Sequence, residues 1–116
     1  MSYLSKELGD SGEDLALEFL SEKGYELVGR KVKLFCGEID LLMLDKKSLV
    51  IVEVKTKSDQ SYGVASEMIT LKKRKKLIQL AKALMQKYPK MVVRIDVMAI
   101  DYDDNVEHLV SAVEEE

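Results

Sequence analysis

Hydrophobic residues along this chain recur with two different spacings, and each spacing predicts a different element of secondary structure. Near the N-terminus they follow the period of an amphipathic helix over about residues 4–23, and Gly24 is placed to end that helix. A second helix is predicted over about residues 70–88, with Thr70 as its N-cap. Its apolar stripe consists of Leu77, Leu80, Ala81, Leu84 and Tyr88.

The segments between and after these helices show the alternation and the β-branched content that are typical of strands. Strands are predicted over about residues 27–34, 36–44, 49–57 and 91–100, with a short one near 107–110. The order α-β-β-β-α-β-(β) predicts an α/β fold, in which a small mixed β-sheet is flanked by helices. Both faces of the strand over 49–57 are apolar near its start, which marks it as a central strand of the sheet.

Length and composition narrow the class of protein further. The 116 residues, 47% hydrophobic and 34% charged, predict a single packed domain over 1–116, with its core over about 1–104 and an acidic tail over 111–116. No uncharged apolar run comes near the ~20 residues that a membrane helix needs, so we expect no membrane partner. Cys36 is the only cysteine and no secretory signal is visible, so we expect a cytoplasmic protein.

The net charge of −3 hides an uneven distribution of charge along the chain. Eight acidic residues and no Lys or Arg follow from Asp96 onward, so residues 1–95 are net positive. Residues 71–90 contain eight basic residues and no acidic ones. Such a run is either a phosphate-binding surface or a solvated helix face, and charge alone leaves both interpretations open.

Three ionisable residues stand out against apolar neighbours. Glu13 borders the apolar stripe of the first predicted helix, where an acidic residue is out of place. Glu53 and Lys55 lie at the far end of the central strand and point to the same face, because side chains alternate along a strand. Each of these could be an ordinary ion-paired residue, but together they favour a functional site.

The hairpin that contains Glu53 sets its distance from a second carboxylate. A two-residue loop at Lys46-Lys47 pairs Asp45 with Ser48, and the same register places Asp40 opposite Glu53. Directly opposed side chains have Cβ atoms about 4.5–5.5 Å apart, so two carboxylates there repel each other. The compensating charge is either a hard divalent cation or the ammonium of Lys55. A loop one residue longer or shorter would make the pair diagonal.

Two carboxylates and a lysine are the groups that metal-assisted phosphodiester hydrolysis requires. The carboxylates hold a divalent cation, and the lysine orients a water molecule or offsets charge that develops on the phosphate. The alternative is structural, with Glu53 and Lys55 as an ion pair at the rim of the sheet and Asp40 as a hairpin-end residue.

Several short motifs together resemble a known family. They are Gly12-Glu13 with Ala16, Gly37-Glu38-Ile39-Asp40, Val52-Glu53-Val54-Lys55-Thr56, Tyr62-Gly63, the helix start that contains Lys72, and Arg94-Ile95-Asp96-Val97. This pattern resembles the YraN-type uncharacterised protein family over nearly the whole chain up to about residue 100. That family is similar to archaeal Holliday-junction resolvases and belongs to the restriction-endonuclease-like (PD-D/ExK) nuclease superfamily.

The resemblance implies a nuclease-like domain with a Mg²⁺- or Mn²⁺-dependent endonuclease site for DNA, and branched DNA is one candidate substrate. The implied catalytic residues are Glu13, Asp40, Glu53 and Lys55. The implied metal ligands are Asp40, Glu53 and the backbone carbonyl of Val54, with Glu13 as a further candidate. Candidate nucleic-acid-binding residues are Lys57, Tyr62, Lys72, Lys75 and Lys76. A homodimer is left open.

The sequence departs from the family at two places that concern substrate contacts. Many relatives have an Arg two residues after the motif lysine, where this chain has Lys57, and many have an Asn before the hairpin, where it has Gly29-Arg30-Lys31. A catalytically weak or inactive nucleic-acid-binding module on the same fold is the alternative function, and a protein whose basic helix binds an acidic partner is the third. Outside the site, we expect His108 on the surface and a structural ion pair between Arg94 and Asp96.

Overall fold

The computed structural model describes residues 2–56, 69–101 and 103–114, with residues 2–11 as helix backbone only. Those residues form two helices and five strands in the predicted order, so the α/β class is confirmed. The elements are α1 (Ser2–Glu22), β1 (Glu26–Leu34), β2 (Gly37–Asp45), β3 (Ser48–Thr56), α2 (Leu71–Lys87), β4 (Val92–Ile100) and β5 (Val106–Leu109).

The strands form one mixed sheet in the order β1-β2-β3-β4-β5. The β1–β2, β2–β3 and β4–β5 pairs are antiparallel, whereas β3 and β4 are parallel. Parallel neighbours need a crossover connection, and here that connection contains α2. The predicted central strand is thus β3, at the middle of the sheet.

The two helices cover opposite faces of this sheet. Ala16 and Leu20 of α1 pack with Leu41, Val50 and Val52 in one buried cluster. The side chains of α2 that are buried belong to a second cluster, on the other face: Leu77, Leu80, Ala81 and Leu84. Because successive side chains of β3 alternate between the clusters, nearly all of this strand is removed from water.

The ends of α2 agree only in part with the sequence pattern. Thr70 is the N-cap, as predicted, and its Oγ1 accepts a hydrogen bond of 3.1 Å from the backbone N–H of Lys73. Tyr88 is the C-cap and is 40% exposed, so its assignment to the buried stripe is wrong. The helix stops at Lys87, because Tyr88 precedes Pro89 and the residue before a proline disfavours the helical backbone, and the ring is turned out of the core.

The β2–β3 hairpin has the register that the sequence predicts. Asp45 pairs with Ser48, and the ladder continues to Leu41 opposite Val52. The next residues on the two strands are Asp40 and Glu53. The turn therefore determines which two carboxylates approach each other at the far end of the hairpin.

The sheet becomes irregular at that far end. Leu41 packs in the cluster beneath α1, but Ile39 packs in the cluster beneath α2, so side-chain alternation breaks at Asp40. Lys31, which the β1–β2 register places opposite Asp40, has a φ of +53°. A left-handed backbone is unfavourable for lysine.

The packed part of the chain continues past the predicted core limit at residue 104. β5 pairs with β4, Val113 is 4% exposed within the cluster beneath α2, and the backbone N–H of Ala112 bonds to the carbonyl of Ile95. The acidic end of the chain is thus anchored to the sheet up to at least Val113. Within the described residues, no helix is both long and apolar enough to cross a membrane.

Candidate active site

Glu53 is a carboxylate at the end of an otherwise apolar strand. It lies on β3 beyond Val52, and only 8% of the residue is exposed. Burial raises the pKa of Glu53, and the negative charge of Asp40 raises it further, while Lys73 and Lys55 oppose both effects. The side chain is therefore a buried carboxylate whose charge is only partly compensated by the protein.

Asp40 reaches the same place from β2. It is the first residue of β2 past the last β2–β3 pair, as Glu53 is of β3, so the hairpin register places the two residues at the same end of the ladder, and the charge of Asp40 raises the pKa of Glu53. Its side chain is 46% exposed, so one member of the pair faces water and the other does not. A cation in solution can therefore reach the Asp40 carboxylate directly, whereas the Glu53 carboxylate is largely shielded from water.

Two lysines place their ammonium groups beside Glu53. Lys55 Nζ lies 3.9 Å from Oε1 of Glu53, and Lys73 Nζ, which comes from α2, lies 3.6 Å from the same oxygen. Lys55 is at this site as predicted, whereas Lys73 was not predicted from the sequence. The signal was present, because Lys73 is four residues before Leu77 and seven before Leu80 and so lies on the stripe of α2 that faces the sheet.

Glu13 lies close to this site, and its carboxylate forms ion pairs with two basic side chains. It is 7% exposed, and its carboxylate contacts Arg30 NH2 at 3.2 Å and Lys31 Nζ at 3.0 Å. Lys31 Nζ also lies 4.0 Å from Oδ1 of Asp40, so this lysine connects the two acidic residues. Glu13 reaches this position because Gly12 permits a close approach of α1, and a Cβ at Gly12 would lie 2.9 Å from Cγ2 of Thr56.

The donor atoms at this end of the sheet suit a small, hard divalent cation. Asp40 and Glu53 are oxygen ligands from adjacent strands, and Mg²⁺ is commonly held by one or two carboxylates while it keeps several waters. In the part of the chain that the structure describes, no group of three or more His, Cys, Asp or Glu side chains is arranged to hold a metal ion. The fit therefore rests on the pair of Asp40 and Glu53, while the Glu13 carboxylate contacts Arg30 and Lys31.

A basic groove runs along the start of α2, next to this carboxylate pair. It has a volume of about 470 Å³ and is lined by Thr70, Lys72, Lys73, Lys75, Lys76 and Gln79. It contains the three lysines of α2 that the sequence predicts to bind nucleic acid. Lys57 and Tyr62, the other two candidates, lie outside the described residues.

A second polar cluster lies on the face of the sheet that α1 covers. Asp96 is fully buried and pairs with Arg94, whose Nε donates to it at 2.9 Å, so the predicted ion pair is present. His108 also contacts Asp96, at 2.8 Å, and its side chain is only 2% exposed, so its predicted surface position is wrong. The burial arises because β5 pairs with β4 and brings the ring against Phe19 and Tyr25.

Comparison with known proteins gives consistent matches over most of the chain. The sequence profile of "Uncharacterised protein family UPF0102" matches residues 12–100. A UPF0102 protein of Roseiflexus castenholzii is 40% identical over 93% of this chain and 94% of its own length. A UPF0102 protein of Chlorobium phaeobacteroides is 40% identical over 86% of this chain and 81% of its own length.

Among solved structures, the chain is similar to Pyrococcus furiosus SfsA in complex with Ca²⁺. The similarity covers 97% of this chain and 65% of the SfsA chain, with 15% sequence identity and a TM-score of 0.43. At that level the likeness supports no conclusion about this protein.

Proposed function

Since the chain belongs to the uncharacterised protein family UPF0102, we propose its function from the site and from the sequence resemblance together, as a Mg²⁺- or Mn²⁺-dependent DNA endonuclease of the Holliday-junction-resolvase-like type. One observation carries the proposal. Glu53 is a buried carboxylate beside a second carboxylate, Asp40, and beside the ammonium of Lys55. A buried carboxylate next to a second carboxylate is unfavourable unless a cation or a chemical function compensates for it.

The residues divide into those that hold a cation and those that act on the phosphate. Asp40 and Glu53, with the backbone carbonyl of Val54, would hold the divalent cation. When bound, that cation supplies positive charge beside the scissile phosphate. The ammonium of Lys55 orients the attacking water or offsets the negative charge that accumulates on the phosphate oxygens as water adds to phosphorus and the ester bond breaks.

Glu13 acts on this site through Lys31 and Arg30. Its carboxylate fixes both cations at the edge of the site, and Lys31 in turn lies within 4.0 Å of Asp40. The proposed role of Glu13 is thus to position positive charge next to the carboxylate pair, in place of the direct metal contact that the family resemblance suggests.

The basic groove of α2 supports DNA as the substrate. The groove is lined by Lys72, Lys75 and Lys76, and the carboxylate pair lies at its side. Lys73 also lines the groove and contacts Glu53 of that pair. Cations that contact phosphates release counterions, so each contact gives the affinity a measurable salt dependence. Replacing Lys72, Lys75 and Lys76 by Ala should lower the slope of log affinity against log salt by up to about 2.7, that is about 0.9 for each phosphate that is no longer neutralised.

The decisive experiment measures cleavage on two DNA substrates of matched sequence, a four-way junction and a linear duplex. We expect cleavage with Mg²⁺ or Mn²⁺ and none with a chelator, and faster cleavage of the junction. Asp40→Asn and Glu53→Gln should each reduce the rate by about a hundredfold or more. Glu38→Gln, a change at an exposed acidic residue of the same strand as Asp40, is the matched control and should cleave like the parent.

A nucleic-acid-binding module without catalysis is the second candidate. It is favoured by the pairing of Glu13 with Arg30 and Lys31, which leaves two carboxylates for a cation. DNA binding with a steep salt dependence, no cleavage on either substrate with either metal, and no effect of Glu53→Gln would establish the binding module and exclude the nuclease.

The proposed setting is the cytoplasm, since the single Cys36 is unpaired and partly buried. A homodimer would place two cleavage sites on one branched DNA. Sedimentation of the protein alone and with a junction tests that arrangement, and a single copy per junction would exclude it.

A further inference from the structure

We propose that Lys73 couples cation binding to DNA binding: when Glu53 binds a divalent cation, the Lys73 ammonium leaves Glu53 and binds a DNA phosphate in the basic groove. The inference rests on the proposed function and adds a regulation of the same site. It assigns to Lys73 a DNA-binding role that depends on the cation and is distinct from the role of Lys55.

Lys73 belongs to two surfaces at once. Its Nζ lies 3.6 Å from Oε1 of Glu53, and the same side chain lines the groove that also contains Lys72, Lys75 and Lys76. Its side chain is 40% exposed, whereas that of Glu53 is 11% exposed. The lysine therefore lies at the boundary between the carboxylate pair and the surface that faces DNA.

Electrostatics decide where the ammonium goes when the charge at Glu53 changes. Without a cation, the carboxylate is the negative group that Lys73 contacts. A divalent cation on the same carboxylate would repel an ammonium only a few ångströms away, and a lysine side chain is long enough to turn toward the groove. The backbone need not move, because the N–H of Lys73 is fixed by its bond of 3.1 Å to Thr70 Oγ1.

Lys55 cannot make the same exchange. It lies on β3, two residues after Glu53, and its side chain points to the same face of the sheet near the carboxylates. It is not among the described residues that line the basic groove. When a cation binds at Glu53, Lys55 thus stays in the site and only Lys73 turns toward the substrate. The two lysines respond differently although their distances from the same oxygen are similar.

The test compares the salt dependence of DNA affinity with and without Ca²⁺, for the parent, Lys73→Gln and Lys75→Gln. The probe is a fluorescent duplex, checked for integrity after each titration. Without Ca²⁺, the parent and Lys73→Gln should have the same slope. With Ca²⁺, the slope of the parent should exceed that of Lys73→Gln by about 0.9, the value of one phosphate contact.

Lys75→Gln is the matched control, an exposed lysine of the same helix and groove. It should lower the slope by about 0.9 both with and without Ca²⁺, because its phosphate contact does not depend on the cation. Lys73→Arg should restore the Ca²⁺-dependent increment. If Lys73→Gln lowers the slope equally in both conditions, Lys73 is an ordinary groove lysine and the coupling is refuted.

A second measurement separates failure of the coupling from failure of the proposed function. Calorimetry with Ca²⁺ in the absence of DNA should show about two- to fivefold tighter cation binding for Lys73→Gln, the scale of one partly exposed ion pair that no longer competes. Unchanged cation affinity would overturn the coupling while leaving the nuclease proposal intact. Absence of cation binding in the parent would overturn both. Because linkage is reciprocal, DNA should tighten cation binding in the parent by the same factor as the cation tightens DNA binding.

Discussion

Among the described residues three carboxylates are buried, and the surroundings of two of them, Asp96 and Glu53, change their acidity in opposite directions. Burial alone would raise the pKa of Asp96, but hydrogen bonds from His108, Arg94 and the Ser111 backbone outweigh it and hold that pKa below its ordinary value. Burial raises the pKa of Glu53, and its contacts with Lys73 and Lys55 do not compensate.

The difference lies in how many donors each carboxylate receives. Within the described residues, Asp96 accepts two hydrogen bonds from Arg94, one from the His108 ring and one from the Ser111 N–H. The ammonium of Lys23 donates to Nδ1 of His108, which leaves Nε2 as the nitrogen that donates to Asp96. In the described part of the chain, Glu53 is contacted by the ammonium groups of Lys73 and Lys55, at 3.6 and 3.9 Å. The hydrogen-bonded Asp96 stabilises the fold, whereas Glu53, with longer contacts to two ammonium groups, has capacity left for a ligand.

The largest expected effect comes from removing each negative charge in turn with an isosteric amide. Asp96→Asn should lower the free energy of unfolding by about 3 kcal/mol, because Arg94 is left without its buried partner. Glu53→Gln should change it by less than about 0.5 kcal/mol or raise it, because it removes a charge that burial disfavours. Urea unfolding of both variants in chelator measures the contrast.

Equal destabilisation by the two substitutions would break the comparison, since it would mean that Glu53 is a structural residue like Asp96. Asp14→Asn on the exposed side of α1 is the control for removing a surface carboxylate, and its effect should be small.

The next effect concerns the rate of DNA cleavage and the role of Lys55, the lysine that follows Glu53 on the same strand. Lys55→Ala should reduce DNA cleavage by about a hundredfold or more, because one preorganised charge is removed from beside the phosphate. Cation affinity should stay the same or rise slightly, and DNA affinity should hardly change. Cleavage rate, cation affinity and DNA affinity are to be measured on the same preparation.

Lys47→Ala, in the hairpin turn, is the control for removing a lysine remote from the site. Should Lys55→Ala cleave as fast as the parent, Lys55 is not the catalytic lysine. The contact between Lys55 and Glu53 would then have a structural role, as the contacts of Asp96 do.

A smaller effect is expected at Lys31, whose left-handed backbone lies beside the carboxylate pair of Asp40 and Glu53. Lys31→Gly and Lys31→Ala both remove the ammonium that contacts Glu13, but only glycine adopts a φ of +53° without strain. Lys31→Gly should therefore be more stable than Lys31→Ala by about 1 kcal/mol in thermal or urea unfolding. Equal stabilities would show that no strain is stored there.

The smallest effect concerns how the free energy of unfolding changes with pH, measured without metal for Glu53→Gln and Asp96→Asn. The raised pKa of Glu53 means that its ionisation opposes folding, so the stability advantage of Glu53→Gln should grow as pH rises above the ordinary carboxyl value of 4.5. The lowered pKa of Asp96 means the reverse. Its contribution is present above 3.8 and is lost as pH falls through its lower folded-state value, so the deficit of Asp96→Asn should shrink in acid. Parallel pH profiles would contradict the contrast.

Local sequence signals predicted the fold and the carboxylate pair well. The hairpin register follows from a two-residue turn, and the borderline position of Glu13 follows from helical spacing, so both could be found without a structure. The burial of His108 could not, because it depends on the pairing of β5 with β4 and on the rings of α1 and β1 that pack against it. The interaction of Glu13 with Lys31 also depends on contacts between distant segments.

Lys73 is the site residue that the sequence pattern concealed. The run of basic residues on α2 made every lysine there look alike, and the predicted DNA contacts were those on the polar face of the helix. Position on the stripe that faces the sheet distinguishes Lys73 from Lys72 and Lys75, and a charged residue on such a stripe is the same signal that identified Glu13.

The geometry of the β2–β3 hairpin also bears on the order in which the molecule assembles. Its turn lies at Lys46-Lys47, and Asp40 and Glu53 lie just past the other end of the ladder. A hairpin that closes from its turn, on a scale of about 1–10 μs, pairs its apolar residues first and brings the two carboxylates together last. Their repulsion then acts after the folding transition state, so relieving it with Glu53→Gln slows unfolding and leaves the folding rate nearly unchanged. The chain can thus carry an electrostatically unfavourable site without folding more slowly.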